Sequence, residues 1–496
     1  MGTYGNVTEG SDVAEEGPVT PSSSLPRVIQ GGMGVAVSSW RLARAVSTAG
    51  ELGVVSGTAL DAVLARRLQD GDPDARRALD AFPDRDVAAA VVEHYYRPQG
   101  RGPGEPYLPT PRPSLTPSLR AQRLIVAGNF VEVWLAKQGH HGPVGVNYLE
   151  KIQMTTPWAA YGAMLAGVDV VLMGAGIPAH IPRLLDDLAE HRTTSLPVDV
   201  AEAAEGTAHV VTIDPSSLVA GDGAPLRRPL FLAIVANHVL AQYLARDAAT
   251  RPDGFVVEAP TAGGHNAPPR GALVLDDDGQ PVYGPRDAVA VDKLVALGLP
   301  FWLAGSYGSP EALRSALEQG AAGVQVGTLF ALSHDSGFDP ALRDRLLAGI
   351  AADSLVTRTD VHASPTGFPF KVAVVDGTLS DPALRTARTS VCDLGHLRTP
   401  FVRADGRVDY RCPAEPGAIF RRKGGDPAAS EGRVCLCNAL MATVGLGQTR
   451  RYGTVEPALV TLGDDLAGPR ELLRRLPAGW SAADAVAYLR DAVPAS

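Results

Sequence analysis

The chain has 496 residues, 45% of them apolar and 20% charged, the balance of a folded globular protein and not of a disordered one. Its 45 Lys and Arg against 54 Asp and Glu give a net charge of −9, which leaves no basic field to hold a nucleic-acid backbone or an acidic membrane. No run approaches the roughly 18 uncharged apolar residues needed to cross a bilayer, so nucleic acid and membrane are excluded as expected partners and a small-molecule substrate is favoured.

In chain order, residues 1–26 carry neither a basic stretch nor the apolar centre of a leader and read as a disordered tail on a cytoplasmic protein. From Arg27 onward, short β-branched runs alternate with amphipathic helical runs. Strands are expected at 28–35, 52–57, 144–149, 168–174, 230–236, 254–259, 300–305 and 322–327. Helices are expected at 39–50, 120–139, 158–167, 181–191, 238–248, 292–298 and 309–320. The last is punctuated by Ser309 as N-cap, Pro310 at the first helical position and Gly320 as the stop. Eight strands reading as apolar on both faces fit the α/β class, and within it a (β/α)8 TIM barrel better than a six-stranded open sheet.

Two stretches exceed a minimal barrel. Residues 61–117 interrupt the connection after strand two; they begin helical, but residues 98–118 hold seven Pro and three Gly and should cross in extended form. An insertion on a βα loop lies at the active-site face, where a lid and a homo-oligomer contact both fit. The second stretch is a C-terminal extension, 381–496, which divides the chain into tail, barrel (27–380) and extension. All four cysteines, Cys392, Cys412, Cys435 and Cys437, fall within 46 residues of it, while the preceding 391 residues have none. Thiols so gathered in a reduced compartment suggest a structural four-coordinate zinc site, with His396 as a spare ligand. An iron–sulfur cluster and unligated buried thiols are the alternatives.

Three segments carry the chemistry. VVEAPTAGGHNAPPRG (256–271) runs from a buried strand into Gly263-Gly264, which allow a sharp turn and a close ligand, and presents His265 where a barrel strand ends. In 301–330 two βα turns offer backbone N–H groups around Gly305–Ser306 and Gly327–Thr328 that suit a phosphate. Gly31-Gly32-Met33 closes strand one, where glycine again suggests a ligand against backbone. A rival pattern, G-x-G-x-x-A at Gly174, Gly176 and Ala179 with Asp199 further on, is a formal dinucleotide fingerprint, but it sits on the fourth of eight strands with Pro178 and Pro182 crowding its helix.

Together IQGGM at strand one, SG at 56–57, GVN at 145–147, AGGH at 262–265, the AG…GVQVGT pair at 304–328 and SPTGFPFK at 364–371 resemble the nitronate monooxygenase (2-nitropropane dioxygenase-like) family over residues 27 to about 375. The resemblance implies an FMN-binding barrel. Gly31, Gly32 and Met33 would lie against the flavin, Asn147 would hydrogen-bond it, Gly263 and Gly264 would line its edge and His265 would face the substrate. Gly305, Ser306, Gly327 and Thr328 would hold the phosphate. Lys151, with Gln153 at the same rim, would touch flavin or an anionic substrate, and Arg270 would pair with a substrate carboxylate or phosphate. The implied reaction is oxidation of a nitronate or nitroalkane with O₂ to a carbonyl compound and nitrite, with His265 taking the α-proton. The related flavin-dependent enoyl-thioester reductases share a similar AGGH; under that alternative NAD(P)H is the reductant and a carrier protein brings the substrate. Asn266, where simpler members carry Gly, and the two extra stretches leave the substrate open.

Overall fold

Eight short parallel strands close into a ring: β1 (Val28–Gln30), β2 (Leu52–Ser56), β3 (Val144–Leu149), β4 (Val170–Gly174), β5 (Leu230–Val235), β6 (Gly254–Glu258), β7 (Phe301–Ala304) and β8 (Gly323–Val326). In this computed structural model, which describes residues 25–220, 223–450 and 453–491, every strand pairs with its neighbours in sequence, and β8 closes on β1 from Val28–Val324 to Gln30–Val326. Most of the expected N-terminal tail, residues 1–24, lies outside the described residues. The (β/α)8 barrel is thus observed, and all eight expected strands are in it.

The strands read as continuous apolar runs because both faces are covered. Ile29, Leu52, Val54, Leu172, Leu232, Val256 and Trp302 fill the inside of the ring, while their alternates, such as Val55, Val146, Val171, Phe231, Val257 and Val324, pack on the outer helices. Helix starts follow the sequence punctuation: Ser39 Oγ accepts from Leu42 N for Trp40–Thr48, and Ser309 Oγ from Ala312 N at 3.2 Å for Pro310–Glu318. The strand expected to run to residue 35 stops at Gln30, because the chain turns at Gly31–Gly34 toward the barrel mouth. Gly174 and Gly176 lie at the end of β4 inside the closed ring, and a Cβ on Gly176 would sit 1.9 Å from the Glu150 carboxylate. That glycine therefore serves close packing on a barrel turn, and among the described residues there is no open nucleotide-binding sheet.

The insertion forms three helices, Leu60–Gln69, Pro73–Asp80 and Arg85–Tyr95, ahead of the long crossover helix Leu119–Ala136. Leu60–Gln69 is buried nearly all round, between that crossover helix and Leu394, Met441 and Leu446 of the extension. The Pro-rich crossing is extended, as its composition predicts, and the extension pins it: Tyr107 N donates to Gln448 Oε1 at 2.8 Å, Leu115 N to the Tyr410 hydroxyl at 2.8 Å and Arg398 Nη2 to Pro113 O at 2.6 Å. The extension also completes the outer layer. Its last helix, Ala482–Arg490, packs against Trp40–Thr48 and Pro310–Glu318, and Trp480, Val486 and Leu489 belong to the same core as the barrel. Three antiparallel hairpins, 194–197 with 210–213, 356–360 with 370–374 and 399–402 with 408–411, were not foreseen. No helix of the described residues is long and apolar enough to cross a membrane.

Candidate active site

The C-terminal ends of all eight strands border one cavity. Its floor is made by Gly31–Val35, Asn147, Gly174, Glu258, Gly263–His265, Ala304–Gly308 and Gln325–Leu329, and its roof by His396, Leu436 and Leu440 with the segment Thr461–Gly463. Of the residues singled out in the sequence, Gly31, Gly32, Met33, Asn147, Gly263, Gly264, His265, Gly305, Ser306, Gly327 and Thr328 all line it.

The floor is shaped for a flat ligand. A Cβ on Gly32 would fall 2.3 Å from Asn147 Cβ, so only bare backbone fits there, whereas one on Gly31 would sit in ordinary contact with Gln325. Gly305, at φ +89°, is followed by Ser306 at φ +63°, a left-handed serine that turns the loop after β7 back over the cavity. Asn147 Nδ2 donates to Gly32 O at 3.1 Å, while Asn147 Oδ1 and Gln325 Oε1 are buried on the cavity wall without a partner. Two orphaned acceptors over a glycine floor suit the polar edge of an isoalloxazine ring, and the backbone turns at 305–306 and 327–328 suit its phosphate. The residues present therefore fit FMN. Thr328 Oγ1 already accepts from Gly463 N at 2.8 Å, which leaves its own hydrogen free to donate.

His265 is held by the segment 364–371. Lys371 N donates to Gly264 O at 2.8 Å and Asn266 N to Pro369 O at 2.9 Å, while the His265 ring stands edge-on to Phe370 at 4.9 Å. His265 Nε2 and Ser364 Oγ share a hydrogen bond of 2.7 Å. The imidazole opens to the cavity but is otherwise enclosed by protein; that burial, and then the nearby Lys151 ammonium, bring its pKa down to about 4. It is accordingly neutral near pH 7. Glu258, ending β6 on the same floor, is pushed up to about 7 by burial.

Two expected contacts fall elsewhere. Lys151 is exposed and rests its ammonium on the Phe368 ring, 4.6 Å from the centroid, so it meets His265 only through its charge. Arg270 borders an adjoining cavity that shares Glu258 and His265 with the main one, and its Nη1 donates to Arg286 O at 3.3 Å. Gln153 turns away to Glu150 and Asp199. Conversely Gln325, Glu258, Ser364, Thr461 and His396 were not identified as parts of this site. Gln325, Glu258 and Ser364 lay inside segments already quoted, and strand alternation would have pointed the first two inward; Thr461 and His396 carried no local signal for this site.

The four cysteines do gather. Cys412 and Cys435 are buried, with Cys392 and Cys437 packed against them, all as free thiols. Among the described residues no group of three or more Cys, His, Asp or Glu side chains is arranged to hold a metal ion. The residues as placed do not fit the expected zinc, and His396, the spare ligand, stands instead on the cavity wall.

Residues 231–364 match the family model described as nitronate monooxygenase, a span running from β5 to Ser364 and containing Glu258, His265, Gly305, Ser306, Gly327 and Thr328. A 5-hydroxy-7a-methyl-1-oxo-octahydro-1H-indene-4-carboxyl-CoA dehydrogenase of Mycobacterium tuberculosis is 24% identical over 363 residues, covering 69% of this chain and 94% of that protein. Among solved structures, nitroalkane oxidase from Streptomyces ansochromogenes is 14% identical with a TM-score of 0.46, covering 94% of this chain and 96% of its own. FabK from Thermotoga maritima is 16% identical with a TM-score of 0.45, covering 94% and 91%.

Proposed function

We propose, from the match of residues 231–364 to the nitronate monooxygenase model, that the chain is an FMN-dependent oxidoreductase that oxidises a nitronate or nitroalkane with O₂ to a carbonyl compound and nitrite. FMN bound over the glycine floor supplies the electron acceptor. The observation that carries the reading is His265: a neutral imidazole hydrogen-bonded to Ser364, at the edge of that floor and open to the cavity. A neutral imidazole can take the α-proton of a nitroalkane, a role worth ~10²–10⁴ in rate. Asn147 and Gln325 would orient the ring system through their unpartnered amide groups. Ser306 and Thr328, with the backbone at Gly305 and Gly327, bind the phosphate, and Thr461–Gly463 close the roof against water. Cytoplasmic location accompanies this reading.

A second reading is favoured by one observation. The cavity extends past the floor along an apolar wall, larger than a short nitroalkane needs, which suits an acyl chain. On that reading the chain reduces an enoyl thioester with NAD(P)H, the substrate being delivered on a carrier protein. The visible spectrum of the purified protein, recorded without oxygen, tests both. Bleaching of the flavin band by a simple alkyl nitronate supports the first; a band that persists with nitronate and bleaches at catalytic speed with NAD(P)H transfers the assignment to the second.

A further inference from the structure

The main cavity does not end over the glycine floor. Its far wall is apolar and comes from segments remote in sequence: Val35 after β1, Ala59 at the start of the insertion, and Leu397, Leu436 and Leu440 from the C-terminal extension. In that wall stands His396, only 3% exposed, and neither ring nitrogen has a hydrogen-bond partner. Its charged neighbour Asp61 is likewise buried, and the 3.5 Å from His396 Nε2 to Asp61 Oδ1 is too long for a good hydrogen bond. An imidazole enclosed beside a ligand cavity with both nitrogens unpaired is costly unless something that enters the cavity supplies the partner.

We propose that His396 is a substrate-binding residue, hydrogen-bonding an oxygen of a substrate whose alkyl chain lies along Val35, Leu397, Leu436 and Leu440. Asp61 is its positioning residue: it faces Nε2, which leaves Nδ1 for the ligand. The ligand class is a medium-chain nitroalkane or acyl thioester that carries, besides the group reacting over the floor, a second oxygen further along its chain. The C-terminal extension, which lies outside the matched segment 231–364, is then the part of the chain that selects the substrate. This rests on the FMN reading of the floor and deepens it.

Holoprotein is titrated without oxygen with 8-nitro-1-octanol and, separately, with the 8-hydroxyoctanoyl thioester of N-acetylcysteamine; nitroethane and the acetyl thioester are the short counterparts. Binding is read from the shift of the flavin absorbance. In one of the two arms the long probe should bind at least tenfold tighter than the short one, and the arm that responds identifies the end group. Leu440→Trp should abolish that long-to-short ratio. His396→Leu should weaken the long probe at least tenfold at unchanged FMN content and melting temperature, and His396→Gln, which keeps a donor, should recover part of the loss. If His396→Leu releases FMN, the Gln and Trp variants carry the test. Equal affinity for long and short probes in both arms, no binding in either, or His396→Leu within twofold of wild type overturns the proposal. A failure of the redox assignment shows separately, as a flavin that neither nitronate nor NAD(P)H reduces while these affinities stand.

Discussion

His265 and Glu258 share one floor, and burial moves them in opposite directions, the imidazole down to about 4 and the carboxyl up to about 7. In each case enclosure disfavours the charged form, so both groups are held neutral over a range where free side chains would be ionised. The linkage follows. His265 binds a proton less readily folded than unfolded, so its contribution is complete above ~6.5 and declines as pH falls from there to about 4; Glu258 behaves oppositely, favouring the fold below ~4.5 and losing that contribution as pH rises through about 7. For turnover, the expected profile of kcat/KM with a neutral nitroalkane has no acid limb until pH approaches 4, and an inflection near 7 that disappears in Glu258→Gln. An acid limb at 6 to 6.5 would show instead that His265 titrates as an exposed imidazole does.

At the scale of elements, the turns after the strands do the positioning, and they leave little freedom. The turn after β1 passes so close to β3 that a methyl group on Gly32 would lie inside the Asn147 side chain, which is the side chain that offers an unpaired oxygen to the cavity. Gly32→Ala should therefore displace Asn147, lower the FMN content of the purified protein severalfold and reduce the melting temperature, in keeping with the ~1–3 kcal/mol that overpacking typically costs. Absorbance of the bound flavin together with a thermal scan checks it; an unchanged FMN content would mean that Asn147 does not hold the ring. The segment 364–371 is positioning of the same kind. It is strand and turn by its own sequence, yet its effect is to fix the backbone of Gly264 and Asn266 and to hold Nε2 of His265 with Ser364.

For the whole molecule, the extension after residue 380 is structural as well as lining. Trp480 is 1% exposed, with its indole N–H donating to Leu329 O at 2.9 Å, and the helix Ala482–Arg490 covers a face of the barrel that would otherwise meet water. Ending the chain at residue 380 should give insoluble or molten protein without flavin, and Trp480→Ala should cost about 3–5 kcal/mol, measurable by denaturant unfolding. A truncated chain that folds and retains FMN would return the extension to the status of an appended domain.

What the sequence by itself determined is whatever is written locally. Apolar runs of strand length, helix caps such as Ser309, and glycines followed by a histidine are short-range patterns; they located all eight barrel strands, the floor of the cavity and His265. The tertiary structure alone decided the rest. Ser364 reaches His265 across 99 residues, and Asp61, Val35 and His396 meet only because the insertion and the extension fold over the same barrel mouth. The same convergence gathered the four cysteines and put His396, only a spare metal ligand in the sequence reading, into the cavity wall. Lys151 and Arg270 were expected from sequence at the rim of the main cavity and lie beside it, because which way a long side chain turns depends on partners outside its own segment, such as Phe368 and Arg286. A local pattern fixes backbone conformation, since that energy is paid within a few residues, whereas a site's roof and its buried polar pairs are settled by packing between distant segments, which leaves no periodic trace in either.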